Sequence, residues 1–201
     1  MKTKDEVLQE FRIQAIREAT GQVVAERGVE GTTMDAIAEA AGIAKGTIYL
    51  YFKNREDLLE KTAGHAFNSL VNEIEATFST PLPFREQLQA FVLRTLQFFD
   101  SQRNFFRLYR AVREHSGRCD ERYEHPQFQR YLATLTQWIT AAAERGDAVA
   151  PHPDRAASVL AEALHAVLRR RTLDEQPMPA EQEAAWLSSL LSDGLACKED
   201  A

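Results

Sequence analysis

The stretch TMDAIAEAAGIAKGTIY, residues 33–49, decides how the chain is read. Met34, Ile37, Ala38 and Ala41 recur at helical spacing, which predicts a short helix over about 34–40. Gly42 breaks it, and a second short helix follows over about 44–50. Ala38 and Ala41 are small enough for close crossing, and Ile37, Ile43 and Ile48 can share one core. Two short helices joined by a tight glycine turn form a helix-turn-helix, whose second helix suits a DNA major groove about 12 Å wide. Thr32 and Thr33 offer the N-cap, and Thr32 followed by Asp35 makes a near capping box.

With the isoleucines turned inward, Ala44, Lys45, Gly46, Thr47, Tyr49 and Leu50 are left for the outward surface. Lys45 can reach a phosphate or a guanine, and the Thr47 methyl suits a thymine methyl. Tyr49 can meet a phosphate or a base, and Gly46 lets the backbone come close. Free N–H groups at the helix starts near Thr33 and Asn54 attract phosphate without a basic side chain. Lys53 and Arg55 add a local positive spot.

Working outward, nearly every long segment reads as helix. Residues 5–27 carry Ile13, Ile16, Ala19, Val23 and Val24 near a 3.6 period, ending at Gly28. Asn54 caps a helix reaching about Ser79, and Pro81 and Pro83 interrupt the chain. Further helices are expected over about 84–101, 104–115, 127–145, 154–172 and 180–196. The fold class is therefore all-α, about nine helices: an N-terminal three-helix helix-turn-helix domain over 1–53 and a helical bundle over 54–201. The net charge of −6, with eight basic and eleven acidic residues in 1–60, means that DNA affinity rests on a local patch and not on bulk charge. No apolar run is long enough for a membrane span, and the charged N-terminus lacks a secretory core, so a cytoplasmic location is expected. Two cysteines in 201 residues, Cys119 and Cys197, read as reduced thiols.

Thr32-Thr33, Ile37-Ala38, Ala41-Gly42, Lys45-Gly46-Thr47-Ile48-Tyr49, Tyr51-Phe52 and Leu58-Leu59 together resemble the signature of the tetracycline-repressor (TetR) family over about residues 11–60. The resemblance implies an all-helical homodimer that binds a palindromic double-stranded DNA operator, usually as a repressor, and is released by a small-molecule effector. By position it implies phosphate contacts from Thr33 and Lys53, and contacts in or near the groove from Lys45, Thr47, Tyr49 and Tyr51. Phe52 would be core. Two departures stand out: many members carry Ser at Ala44 and His at Leu50, so a cap or phosphate contact and a polar contact are lost. An enzyme is not expected, because no nucleophile–base pair, HExxH or glycine-rich phosphate loop is present. No cofactor is expected either.

The C-terminal half is rich in aromatics, which either fill a core or line a ligand cavity. The resemblance favours a cavity, for which Phe67, Phe91, Thr95, Phe98, Tyr109 and Trp138 are the candidate lining, suiting a hydrophobic or aromatic effector. Arg94, Arg107 and Arg110 are read as solvated surface before anion partners. His115, Cys119 and His125 flank a polar loop, but their spacing fits no tight metal motif, and no metal site is assigned. The last two helices are the expected dimer face, through Leu160, Ala163, Leu164, Val167, Trp186, Leu187, Leu190 and Leu191. The triplet Arg169–Arg171 is expected to be solvated.

Overall fold

The first helix, α1 (Lys4–Arg27), begins at a cap the periodicity did not signal. Thr3 accepts from the Glu6 N–H at 3.3 Å, and the Glu6 carboxylate accepts from the Thr3 N–H at 2.7 Å, a reciprocal capping box. The helix stops at Gly28, whose φ of 71° and ψ of 174° lie in a region open almost only to glycine.

The computed structural model describes residues 3–101 and 126–195, and these form eight α-helices. After α1 come α2 (Met34–Ala40), α3 (Lys45–Ile48), α4 (Arg55–Phe78), α5 (Phe84–Ser101), α6 (Pro126–Glu144), α7 (Pro153–Leu173) and α8 (Ala180–Leu195). No strand occurs among the described residues. The all-α expectation holds. The helix expected over 104–115 lies outside the described residues, as do Tyr109, His115, Cys119, His125 and Cys197.

The described residues fall into two compact units, one ending at Ala66 and the other beginning at Phe67. The first unit runs past the 53/54 boundary expected from sequence because the opening turns of α4 belong to it. Leu58 joins the core of Ile16, Ile37, Ile48 and Phe52, while Leu59 and Ala63 pack with Val24.

In the second unit α5 packs along α8, and α6 along α7. Its core holds an aromatic stack. Trp138 lies between Phe78, at 4.2 Å and parallel, and Phe84, at 4.7 Å. The indole N–H donates to Gln87 Oε1 at 2.8 Å, and the Gln87 amide donates to the carbonyls of Phe78 and Thr80. The turn at Pro81 and Pro83 is thereby pinned to the core. Gly146, with φ 80°, closes α6: its N–H and that of Asp147 return to the carbonyls of Ala143 and Ala142.

Arg171 departs from the expected solvated triplet. It is buried, donating to Asp100 Oδ2 of α5 at 2.5 Å, to the Met178 carbonyl at 2.6 Å, and to Glu183 of α8. Two carboxylates and a carbonyl take up its two terminal nitrogens, while the buried Nε has no hydrogen-bond partner.

Candidate nucleic-acid interface

The turn between α2 and α3 is set by hydrogen bonds made in a left-handed backbone conformation that favours glycine. Gly42 adopts φ 64°, its N–H donates to Glu39 O at 3.1 Å, and the Ile43 N–H donates to Ala38 O at 3.0 Å. This is a Schellman motif, which satisfies the last carbonyls of α2 and turns the chain sharply into α3. A side chain at Gly42 has room around it, so its cost there is backbone strain and not a clash.

The N-cap of α2 is Thr33, whose hydroxyl accepts from Ala36 N at 3.2 Å. Thr32 does not cap, contrary to the near capping box expected there. It is fully buried and its hydroxyl donates to Gly28 O at 2.7 Å. The α-helical part of the recognition element is only four residues long, shorter than the expected 44–50. Ala44 caps it without a side-chain hydrogen bond, and the backbone continues as tight turns through Tyr51. Ile48 anchors it, fully buried against Ile16 and Ile37.

With Ile48 fixed, the outward residues follow. Ala44, Lys45 and Gly46 are exposed and Thr47 is half-buried. Tyr49 is 49% exposed, and Leu50, at 75%, is more open than any other large apolar side chain of the first unit. Tyr51 is half-buried and packs against the domain core, while Lys53 is exposed. Lys45 Nζ donates to Asp35 Oδ2 across the turn at 2.8 Å, and this carboxylate holds the ammonium above its usual pKa range.

Arg55 does not contribute to a free positive spot. Its guanidinium turns inward and donates to the carbonyls of Thr32, at 2.6 Å, and Val29. Asn54 caps α4 by accepting from Asp57 N at 2.8 Å, and the Asp57 carboxylate reaches back to the Lys53 N–H at 2.9 Å. That carboxylate also accepts from Lys61 at 3.0 Å. The start of α4 therefore already holds an anion, and the exposed cations beside the recognition element are Lys45 and Lys53.

The other candidate residues separate by burial. Phe91 is fully covered and touches Phe78 and Trp138, and the Thr95 hydroxyl is spent on Phe91 O at 2.8 Å. Phe67 and Phe98 are half-buried, Phe67 meeting Tyr131 edge-on at 5.9 Å. On the last two helices Leu160, Leu164 and Leu187 are buried within the protomer, and Ala163, Val167 and Leu191 are half-buried. Trp186 and Leu190 stand out from α8 at 54% and 60% exposure, and Val159 from α7 at 64%. Sequence reasoning missed Asp35 as the partner of Lys45. The two are ten residues apart, and only the turn geometry brings them together.

Two short helices crossing on a common core, with a polar and aromatic strip turned outward, define a helix-turn-helix protein. Residues 16–62 match the family described as bacterial regulatory proteins, tetR family, and residues 86–194 match the AefR-like transcriptional repressor C-terminal domain. The chain belongs to the TetR family of transcriptional regulators, not to an enzyme family. It is 41% identical over 69 residues to an uncharacterized HTH-type transcriptional regulator of Haemophilus influenzae, covering 34% of this chain and 37% of that protein. It is 36% identical over 73 residues to the fatty acid metabolism regulator protein of Bacillus subtilis, covering 36% and 38%. The chain thus matches less than half the length of these curated relatives. The fold is shared with Bacillus subtilis FadR in complex with stearoyl-CoA, at TM-score 0.72 and 20% identity, over 90% of this chain and 98% of that one. No helix of the described residues is long and apolar enough to cross a membrane.

Proposed function

We propose that this regulator acts as a cytoplasmic repressor, binding a palindromic double-stranded DNA operator as a homodimer, and that a small hydrophobic effector releases it. The observation that carries the DNA surface is the exposed strip Lys45, Tyr49 and Leu50 held over buried Ile48. Lys45, Thr47 and Tyr49 read base edges, with Ala44 and Gly46 allowing close approach. Thr33 and Lys53 position the backbone. Tyr51 has the smaller part, since its ring already packs on the core.

The effector is sought in the second unit. Phe91 and Trp138 are committed to the aromatic stack, so half-buried Phe67 and Phe98 are the better lining candidates. The structural neighbour in complex with stearoyl-CoA supports an effector with an apolar part.

The test begins with an operator selected from random duplexes by the natural protein. Tyr49→Ala and Lys45→Ala should each weaken operator binding about 5- to 100-fold, the worth of a good base contact. Lys53→Ala should weaken all sequences alike and reduce the salt slope by about 0.9 per subunit. Unchanged operator binding by both Tyr49→Ala and Lys45→Ala in a gel shift would remove the groove assignment.

A further inference from the structure

We propose that Asp35 is a specificity-determining residue, which holds Lys45 in an intramolecular ion pair so that this lysine is withheld from indiscriminate phosphate contact and released to a matching base edge. The inference rests on the reading of Lys45 as a DNA contact and adds a partner that limits it.

The geometry carries three points. First, the pair is direct, at 2.8 Å, and joins the first turn of α2 to the first residue of α3 across the Gly42 turn. Second, both members are open to water, Lys45 at 49% and Asp35 at 70%, so neither is tied to the domain core. An exposed pair of this kind is weak enough to be exchanged for a better partner. Third, cations are scarce here: Arg55 is bound to carbonyl oxygens, and residues 1–60 hold eleven acidic residues against eight basic ones. Withholding one lysine therefore removes a large share of the local non-specific attraction.

The physical asymmetry lies in what the DNA offers. A phosphate presents two oxygens that share one negative charge, an acceptor much like the Asp35 carboxylate, and exchange between them gains little. A guanine presents O6 and N7 together to one ammonium. The same intramolecular bond thus costs more, relative to the gain, on random DNA than on the operator. Asp35 also remains near the duplex, where its charge opposes the phosphates in any register that lacks the base contact.

The experiment measures binding of two labelled duplexes, the selected operator and a scrambled sequence of equal length, over a salt series. Asp35→Asn keeps the side-chain shape and removes the charge. It should raise affinity for the scrambled duplex about two- to five-fold per subunit and steepen its salt slope by about 0.9 per subunit. Operator affinity should rise less, so the specificity ratio falls. Asp35→Glu retains a carboxylate within reach of Lys45 and should behave as the natural chain. In a Lys45→Ala background, Asp35→Asn should lose most of its effect. An equal gain on both duplexes, or a gain undiminished in the Lys45→Ala background, would overturn the proposal by reducing Asp35 to a general negative charge. If Lys45→Ala weakens operator binding while Asp35→Asn changes neither duplex, the inference falls and the groove reading stands. If Lys45→Ala leaves operator binding unchanged, the inference falls together with the reading of Lys45 as a base contact.

Discussion

Arg55 occupies the first turn of α4, where a cation is disfavoured by the positive end of the helix dipole. It is held there by the carbonyls of Thr32 and Val29, and so ties α4 to the backbone that leads into Thr33. Arg55→Met keeps the aliphatic stem and deletes the donors. The part-buried Thr32 carbonyl then loses its partner and the Val29 carbonyl keeps only the Thr32 N–H, which should cost about 1–3 kcal/mol of stability in urea unfolding. A loss well below that range would mean that water replaces the guanidinium and the tie is ornamental. Such a role leaves no trace in a linear pattern, because the acceptors are backbone atoms 23 and 26 residues earlier. The outward position of Lys45, Tyr49 and Leu50 was legible, since it follows from Ile37, Ile43 and Ile48 taking the inner face. Thr32 and Thr33 show the limit of that reading. Both hydroxyls can cap, and the choice depends on which one faces Gly28 O.

At the scale of elements, helix positions were readable from periodicity and breakers, whereas the bonds between helices were not. Arg171 is the clearest case. In sequence it ends a basic triplet, yet its place on the inner face of α7 brings it to Asp100 of α5 and Glu183 of α8. Arg171→Met should destabilise the second unit by about 3–5 kcal/mol, because it leaves the buried Glu183 carboxylate without a counter-charge. Asp100 is one-third exposed and will recover water, which places the expected loss at the lower end. Arg171→Lys should recover only part, since a single ammonium replaces a fork that serves two carboxylates and a carbonyl. Thermal unfolding of the three proteins at one pH checks the order: natural chain, lysine variant, methionine variant. The candidate ligand lining failed to separate from core for a similar reason. Phe91, Trp138 and Phe67 are all aromatic in the sequence, and the stacking of Trp138 between Phe78 and Phe84 is seen only in the fold.

At the scale of the whole molecule, a single short recognition element with two exposed neighbouring cations is a weak reader, and the proposed homodimer is what would make it useful. Two copies on a palindrome convert the second contact into an intramolecular one, which raises affinity by about 10²–10⁴ without any new chemistry. The face for that doubling has to be apolar and open in the protomer. Leu160, Leu164 and Leu187 cannot provide it, because they are buried in their own subunit. Trp186 and Leu190 are four residues apart on one face of α8 and largely exposed, a pair of large side chains with no evident use in an isolated subunit. Leu190→Glu leaves the protomer core untouched and places a carboxylate on that face. Light scattering after gel filtration should show a dimer for the natural chain and a monomer for the variant. Operator affinity should fall by at least about 100-fold in parallel, while the affinity for a single half-site duplex stays as it was. A variant that remains dimeric would move the interface away from Leu190, and one that is monomeric yet binds the full operator undiminished would remove dimerisation from the mechanism.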